Sequence, residues 1–175
     1  MKLIYIIIFS SIYLFSSTIY SQNIAIINIQ ALIDNNKIYK NIVKEIESTQ
    51  QSYLKNFNLK ENELKSNLKE IEESKLILSE DEINLRINNY NIALAEFTNL
   101  VQNFNSHYQN EIIIIRKLIL KEIIILLEKY VIENNLDLVL DSNSYLIASN
   151  SLDITNDINV ELEKLNFNLG FKNFE

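Results

Sequence analysis

The 175-residue sequence contains no cysteine, no proline, no tryptophan and a single glycine, Gly170. The absence of cysteine excludes a disulfide framework, a thiolate zinc site and a cysteine nucleophile. It also removes the residue on which a bacterial lipoprotein anchor is built. Glycine and proline are the strongest punctuators of local structure, so their near absence leaves few tight turns and few helix breaks. Long uninterrupted helices are the natural consequence. One glycine cannot make a phosphate-cradling loop. An excess of positive charge is missing too. The net charge is −7, and without Met1–Ser21, which carries Lys2, it becomes −8 (15 basic against 23 acidic residues). Nucleic-acid binding needs a basic footprint, so nucleic acid is not an expected partner. The abundant Asn and Ile read as compositional bias, not as a functional signal.

The residues present fall into an ordered series. Met1-Lys2 is a short positive start, and Leu3–Phe15 is apolar apart from Ser10 and Ser11. The small and polar stretch Ser16–Ser21 follows. This order of regions is that of a secretory signal, with cleavage expected after Ser21. The apolar run is shorter than the roughly 20 residues a permanent span requires. Residues 22–175 are expected to form one domain, with 22–36 and 112–165 as its body, 37–111 as a helical arm and 166–175 as a loosely ordered tail.

Ile24–Ile29 is short, apolar and rich in β-branched residues, so it reads as a buried strand. Asp34-Asn35-Asn36 offers caps for a helix from about Lys37 to Ile77. The apolar positions of that helix, Ile42, Ile46, Tyr53, Phe57, Leu64, Leu68, Ile71 and Leu78, make an imperfect heptad seam, interrupted at Thr49, Lys60-Glu61 and Lys75. Ser79 and Glu82 fit a capping box, and the acidic first turn suits the helix dipole. A chain reversal therefore precedes Ser79. The second helix, about Ser79 to Glu133, carries Ile83, Ile87, Tyr90, Leu94, Phe97, Val101, Phe104 and Tyr108 at alternating intervals of four and three. That is a sustained coiled-coil pattern. At 1.5 Å per residue such a helix is roughly 80 Å long and must project from a domain of this size. From Ile112 onward the apolar residues spread around the helix, which marks entry into a packed body. Leu136–Leu140 and Tyr145–Ala148 read as two strands of a β-hairpin, and Thr155 as the cap of a short helix through about Leu165. Strands this few have open edges that invite pairing between chains.

The resemblance enters through four segments. They are Ile24–Leu32 at the first strand, Leu78–Glu82 at the reversal, Asn135–Asp141 at the second strand, and Tyr145–Ala148 followed by Ser151–Thr155 at the close. In this order the chain resembles the Skp/OmpH family of periplasmic chaperones. The implied fold is α+β and mostly α, with a long antiparallel helical hairpin, the coiled-coil arm, on a small β base that oligomerises. The resemblance implies a homotrimer in the periplasm whose arms enclose unfolded outer-membrane proteins, without nucleotide, cofactor or metal. Ile27, Leu138, Leu140 and Ile147 are assigned to the trimer body. The chain departs from the family in charge. Lys60–Arg86 carries five basic and eight acidic residues. An acidic arm tip opposes the weak membrane-surface contact that basic members suggest.

Two readings of the arm stand side by side. Tyr53, Phe57, Tyr90, Phe97, Phe104 and Tyr108 are either the seam between the two helices or a surface for clients. Leu59, Ile92 and Leu100 lie off the seam and are the other client-contact candidates. His107 is read as a solvated surface residue. Glu72-Glu73 and Glu80-Asp81-Glu82 are read as solvated face and cap, since paired-carboxylate catalysis needs two carboxyl groups facing across a cleft. No Ser-His-Asp arrangement is apparent. An enzyme is therefore not expected. A holdase chaperone and a structural spacer or adaptor of the cell envelope remain.

Overall fold

The computed structural model describes residues 22–165 and 169–175. The expected export signal lies outside them. The chain runs β1 (Ile24–Ile27), α1 (Ile29–Asn35), α2 (Lys37–Ser74), α3 (Glu80–Glu133), β2 (Leu138–Asp141) and α4 (Thr155–Lys164), with two single 3-10 turns between β2 and α4. It is a long helical hairpin on a small strand pair. By rise per residue α2 is about 57 Å long and α3 about 81 Å.

The expected long helices form because their ends are capped and their interiors lack breakers. Asn36 opens α2, and its side chain accepts from the N–H groups of Ile38 and Tyr39. Ser79 opens α3 with a complete capping box. Its backbone N–H donates to Glu82 at 3.0 Å, and its hydroxyl accepts from the Glu82 N–H. The Ser79 hydroxyl also donates to the Glu82 carboxylate at 2.7 Å, and that bond, with the one from the Ser79 N–H, holds the carboxyl below its usual range. Leu78 and Ile83, at the positions of a hydrophobic staple, are both half-buried. With so little glycine, α3 ends in Asn135, whose φ of 50° is the left-handed conformation. The Leu136 N–H donates to the Val131 carbonyl at 3.0 Å and the Asn135 N–H to Ile132 at 3.4 Å. That is a Schellman end with asparagine in the place glycine usually takes.

Several expectations are corrected. The first strand stops at Ile27, and Ile29 already begins α1, capped by the Asn28 side chain accepting from the Ala31 N–H. α2 stops at Ser74, short of Ile77. No hairpin forms after α3. β2 instead pairs with β1, in parallel, with Ile24 opposite Leu138 and Ile27 opposite Asp141. Tyr145–Ala148 is not a strand, and Leu146 and Ile147 are almost fully exposed. The other edge of β1 is met by Asp153, which bridges to Ile26, while the Ile154 N–H donates to the Ile26 carbonyl. Thr155 does not cap α4. The cap position is Ile154, without a side-chain bond, and the Thr155 hydroxyl accepts from the Asn28 N–H at 2.9 Å.

Side chains close this junction on both sides of the sheet. Asp141 accepts from the Ile29 N–H at 3.2 Å, and Asp137 from the Asn23 N–H at 2.8 Å. Arg116 on α3 donates to Asp34 at 2.8 Å, to Gln30 at 2.8 Å and to the Tyr39 hydroxyl at 3.0 Å, so one guanidinium ties α1 and α2 to α3. Beneath it lies the core: Ala25, Ile27, Leu32 and Ile33 from the first elements, Ile42 and Ile46 from α2, Ile115, Ile119 and Ile123 from α3, and Ile158 and Leu162 from α4. The α3 residues recur at four-residue steps, which places them on one face.

Two stability tests follow. Asn135→Val puts a β-branched residue in the left-handed region and should cost about 1–2 kcal/mol in urea unfolding, whereas Asn135→Gly should cost nothing. The second concerns acid. Burial pushes the carboxyls of Asp34 and Asp141 up. Hydrogen bonds outweigh it, from Arg116 and Gln30 to the first and from Ile29, Ser142 and Asn143 to the second, so both end below the usual carboxylate range. Groups depressed in the folded state stabilise it above their unfolded pKa, about 4, and lose that contribution as pH falls through the folded value. The urea midpoint should therefore hold between pH 7 and 5 and drop below about pH 4. Asp34→Asn with Asp141→Asn should flatten the drop.

Candidate functional site

The arm is closed by one seam, and the seam is narrow. Of the regular series on α3, Ile83, Tyr90 and Phe97 are half-buried and Phe104 is buried, at steps of seven. Of the alternate positions, Ile87 and Leu94 toward the tip stay 36% and 39% exposed, while Val101 is half-buried and Tyr108 buried toward the body. A single partner helix covers one stripe, and α2 supplies few large apolar groups toward the tip, where Leu64 and Ile71 are its buried members. The distal arm therefore leaves apolar side chains facing solvent. Leu76 and Ile77, at the reversal itself, are 95% and 83% exposed. By sequence both fall at the end of the expected helix and within the expected turn Leu76–Ser79. Their signal was an apolar pair just ahead of a strong cap.

Toward the body the seam becomes an aromatic cluster. Phe104 is its hub, with ring centroids 5.1 Å from Tyr53, 5.0 Å from Phe57, 5.1 Å from Tyr108 and 5.4 Å from Phe174. Phe57 also meets Phe97 edge-on at 6.1 Å. Such pairs add about 0.5–1.5 kcal/mol each beyond the area they bury. Phe104 and Tyr108 are buried, while Tyr53, Phe57 and Phe97 keep part of their surface open. The two readings of these aromatics thus divide by position. The hub is seam, and its outer members line an open cleft.

That cleft has a volume of about 580 Å³ and lies between α2 and α3. Tyr53, Asn56, Phe57 and Lys60 form one wall, Ala93, Glu96, Phe97 and Leu100 the other, and Phe174 and Glu175 close one end. The volume falls in the range of ligand-binding clefts. The structure thus brings together Tyr53, Phe57, Phe97 and Leu100, with Phe104 beneath. Leu59 and Ile92 lie outside the cleft and are 63% and 50% exposed.

Phe174 arrives from an element expected to be loose. Leu169–Glu175 lies against the arm. The Tyr53 hydroxyl donates to the Phe174 carbonyl at 3.0 Å, the Lys172 N–H to Glu111 at 2.9 Å, and the Phe174 N–H to the Tyr108 hydroxyl at 3.4 Å. His107 is not a free surface residue. Its Nε2 lies 2.7 Å from the Lys172 carbonyl, and its ring meets Tyr108 and Phe174 edge-on. Glu111, a buried carboxylate, has its partner in the tail.

The four residues assigned to an oligomeric body separate. Ile27 is buried in the chain's own core, Leu140 is half-buried, and Leu138 and Ile147 face solvent. On α3, Ile113, Ile114, Leu118, Ile124 and Ile125 are exposed as well. Among the described residues no group of His, Cys, Asp or Glu could hold a metal ion, and no helix is long and apolar enough to cross a membrane.

The arrangement has a counterpart of known structure. An OmpH-like protein of Caulobacter crescentus, a proposed outer membrane chaperone, superposes with a TM-score of 0.69. The alignment covers 89% of this chain and 93% of that one at 11% identity, a likeness of fold. No curated protein matches the chain in sequence. Residues 23–162, nearly all of the strand pair, arm and α4, match the model of the outer membrane protein (OmpH-like) family, and the chain belongs to that family.

Proposed function

We propose that the chain is an ATP-independent holdase of the periplasm, not an enzyme. It binds unfolded outer-membrane proteins and keeps them from aggregating on the way to outer-membrane assembly. The observation that carries this reading is the arm. It projects from the body and keeps apolar groups open to solvent along its length, in a chain that could have filled those positions with charge. The Caulobacter protein of the same fold, itself a proposed outer membrane chaperone, supports it.

The mechanism follows from burial arithmetic. Each Å² of apolar surface removed from water is worth about 25 cal/mol. Partial contact with Ile87, Leu94, Leu59, Ile92 and Leu100 therefore gives many weak attachments and no deep one. Weak attachments at many points hold a chain without imposing a conformation on it. Binding the unfolded state also opposes premature folding by mass action. The exposed isoleucines of α3, with Leu138, Ile147 and the open edge of β2, form a surface that a second and third copy would cover, giving a homotrimer with three arms around a cavity.

A structural spacer is the second reading. The aromatic hub favours it, since Phe104 and Tyr108 lock the arm base as a rod would require. The two readings separate on mixing with a client. A urea-unfolded outer-membrane barrel protein is diluted into buffer with this chain, and the mass of the soluble material is measured by light scattering. A soluble complex of three chains plus client is expected. Precipitation of the client as it precipitates alone, with this chain left as a free oligomer, favours the spacer. Leu59→Ser, Ile92→Ser and Leu100→Ser together should weaken client binding about tenfold or more. All three are at least two-fifths exposed, so the unfolding midpoint should change little.

A further inference from the structure

The tail and the cleft fit one another as peptide and receptor. Leu169–Glu175 reads Leu-Gly-Phe-Lys-Asn-Phe-Glu. Its described residues carry no regular secondary structure. The arm holds this segment by its backbone as well as by its rings. Four backbone groups of the segment are bonded by side chains of the arm: the Phe174 carbonyl by Tyr53, the Phe174 N–H by Tyr108, the Lys172 N–H by Glu111 and the Lys172 carbonyl by His107. Phe174 fills the aromatic cluster, and Phe171 lies 6.1 Å from the Tyr108 ring. The open cleft continues beyond Phe174 between Phe57 and Phe97, so the receptor is longer than the segment now in it.

This placement says what kind of occupant the site takes. Side chains supply the hydrogen bonds to its backbone, so the occupant's sequence matters little there. Aromatic rings receive its apolar side chains. Strands of outer-membrane barrels alternate apolar and polar residues and carry aromatic girdles. The tail shares their aromatic content, in Phe171 and Phe174 among polar Lys172, Asn173 and Glu175, though these two are three apart and only Leu169 and Phe171 keep the two-residue step. We propose that Leu169–Glu175 is a built-in competitor, and that the cleft between α2 and α3 takes extended, aromatic-bearing segments of unfolded polypeptides. The proposal rests on the holdase reading and adds its regulation. A short segment fixed to α4 reaches an effective concentration near 1 mM, so an intrinsic dissociation constant of about 0.1 mM is enough to keep the seat of Phe174 at the end of the cleft, against Tyr53, Phe104 and Tyr108, about nine-tenths filled. A long client with several matching segments displaces the tail. An isolated short segment does not.

The test uses the full chain, a Phe171→Ser/Phe174→Ser variant, and Phe174→Ser alone. The probe is a fluorescein-labelled heptapeptide of the tail's own sequence, followed by fluorescence anisotropy. The double variant should bind the peptide about tenfold more tightly than the unmodified chain, since the seat of Phe174 at the end of the cleft is vacated. Phe174→Ser should shift binding in the same direction by less. The same peptide with serine at both phenylalanine positions should not bind. Equal affinity across the three chains, or no binding to the double variant, overturns the proposal. An unfolded barrel protein forms the second arm, in which the double variant should hold the client severalfold more tightly. Retention by all three chains with equal affinity leaves the holdase reading standing and overturns the competitor. Loss of retention in every chain, with the peptide still binding the double variant, supports the cleft's specificity and removes the holdase reading.

Discussion

The structure depends on a single parallel strand pairing made across a very long detour. β1 and β2 are four residues each, and the two helices of the arm separate them. Two short strands are a poor unit of stability alone. The pairing holds because side chains repeat it. Asn23 meets Asp137, Ile29 meets Asp141, and Asn28 meets Thr155. Each bond joins the start of the chain to its last quarter. Both arm helices leave the body beside this junction, α2 directly after α1, and Arg116 braces α3 against it. The direction of the arm is therefore set by a few hydrogen bonds at its root. Loosening them would free the whole lever.

The pairing explains what was legible beforehand. Helices report themselves locally: the 4-3 spacing on α3, the Ser79–Glu82 box and the Asn36 cap lie within a few residues of what they specify. The strand at Ile24 was legible too, as a short β-branched run. Its partner's direction was not. A strand after Asn135 looks the same whether it pairs with Tyr145–Ala148 or with a segment more than a hundred residues earlier. Apolar periodicity does not encode that choice. Thr155 misled for the same reason. Its position suits a cap, but its hydroxyl has a more distant partner in Asn28. The tail was the least legible element. Three spaced apolar residues and a glycine resemble a loose end until Tyr53, Tyr108 and Glu111 are brought alongside by the fold.

The arm residues show how one pattern serves two ends. A perfect heptad seam implies that both alternate positions are covered. With only one partner helix, Ile83, Tyr90, Phe97 and Phe104 occupy the contact, while Ile87 and Leu94 remain open. The weak half is α2, whose seam is broken by Thr49, Lys60-Glu61 and Lys75. A stronger α2 would have made a stiffer, drier arm. The imbalance is what leaves apolar surface facing outward, and the cleft appears where the aromatic cluster runs out toward the tip.

Charge fits the apolar mode of holding proposed for the arm. Three lysines of the outer arm are already engaged on their own helix: Lys60 with Glu63 at 3.0 Å, Lys65 with Glu61 at 2.6 Å and Lys69 with Glu73 at 3.7 Å. Exposed pairs of this kind contribute little to stability, about 0–1 kcal/mol each. They do cancel local positive charge, and the tip keeps its acidic excess. At physiological ionic strength the field of that excess is screened within about 8 Å. Coulomb attraction is therefore too short-ranged and of the wrong sign to gather acidic polypeptides. An arm that holds unfolded chains under these conditions must do so by contact. In the holdase proposed above, selectivity would then come from which side chains a client can lay against Phe57, Phe97 and Leu100, and not from the client's net charge.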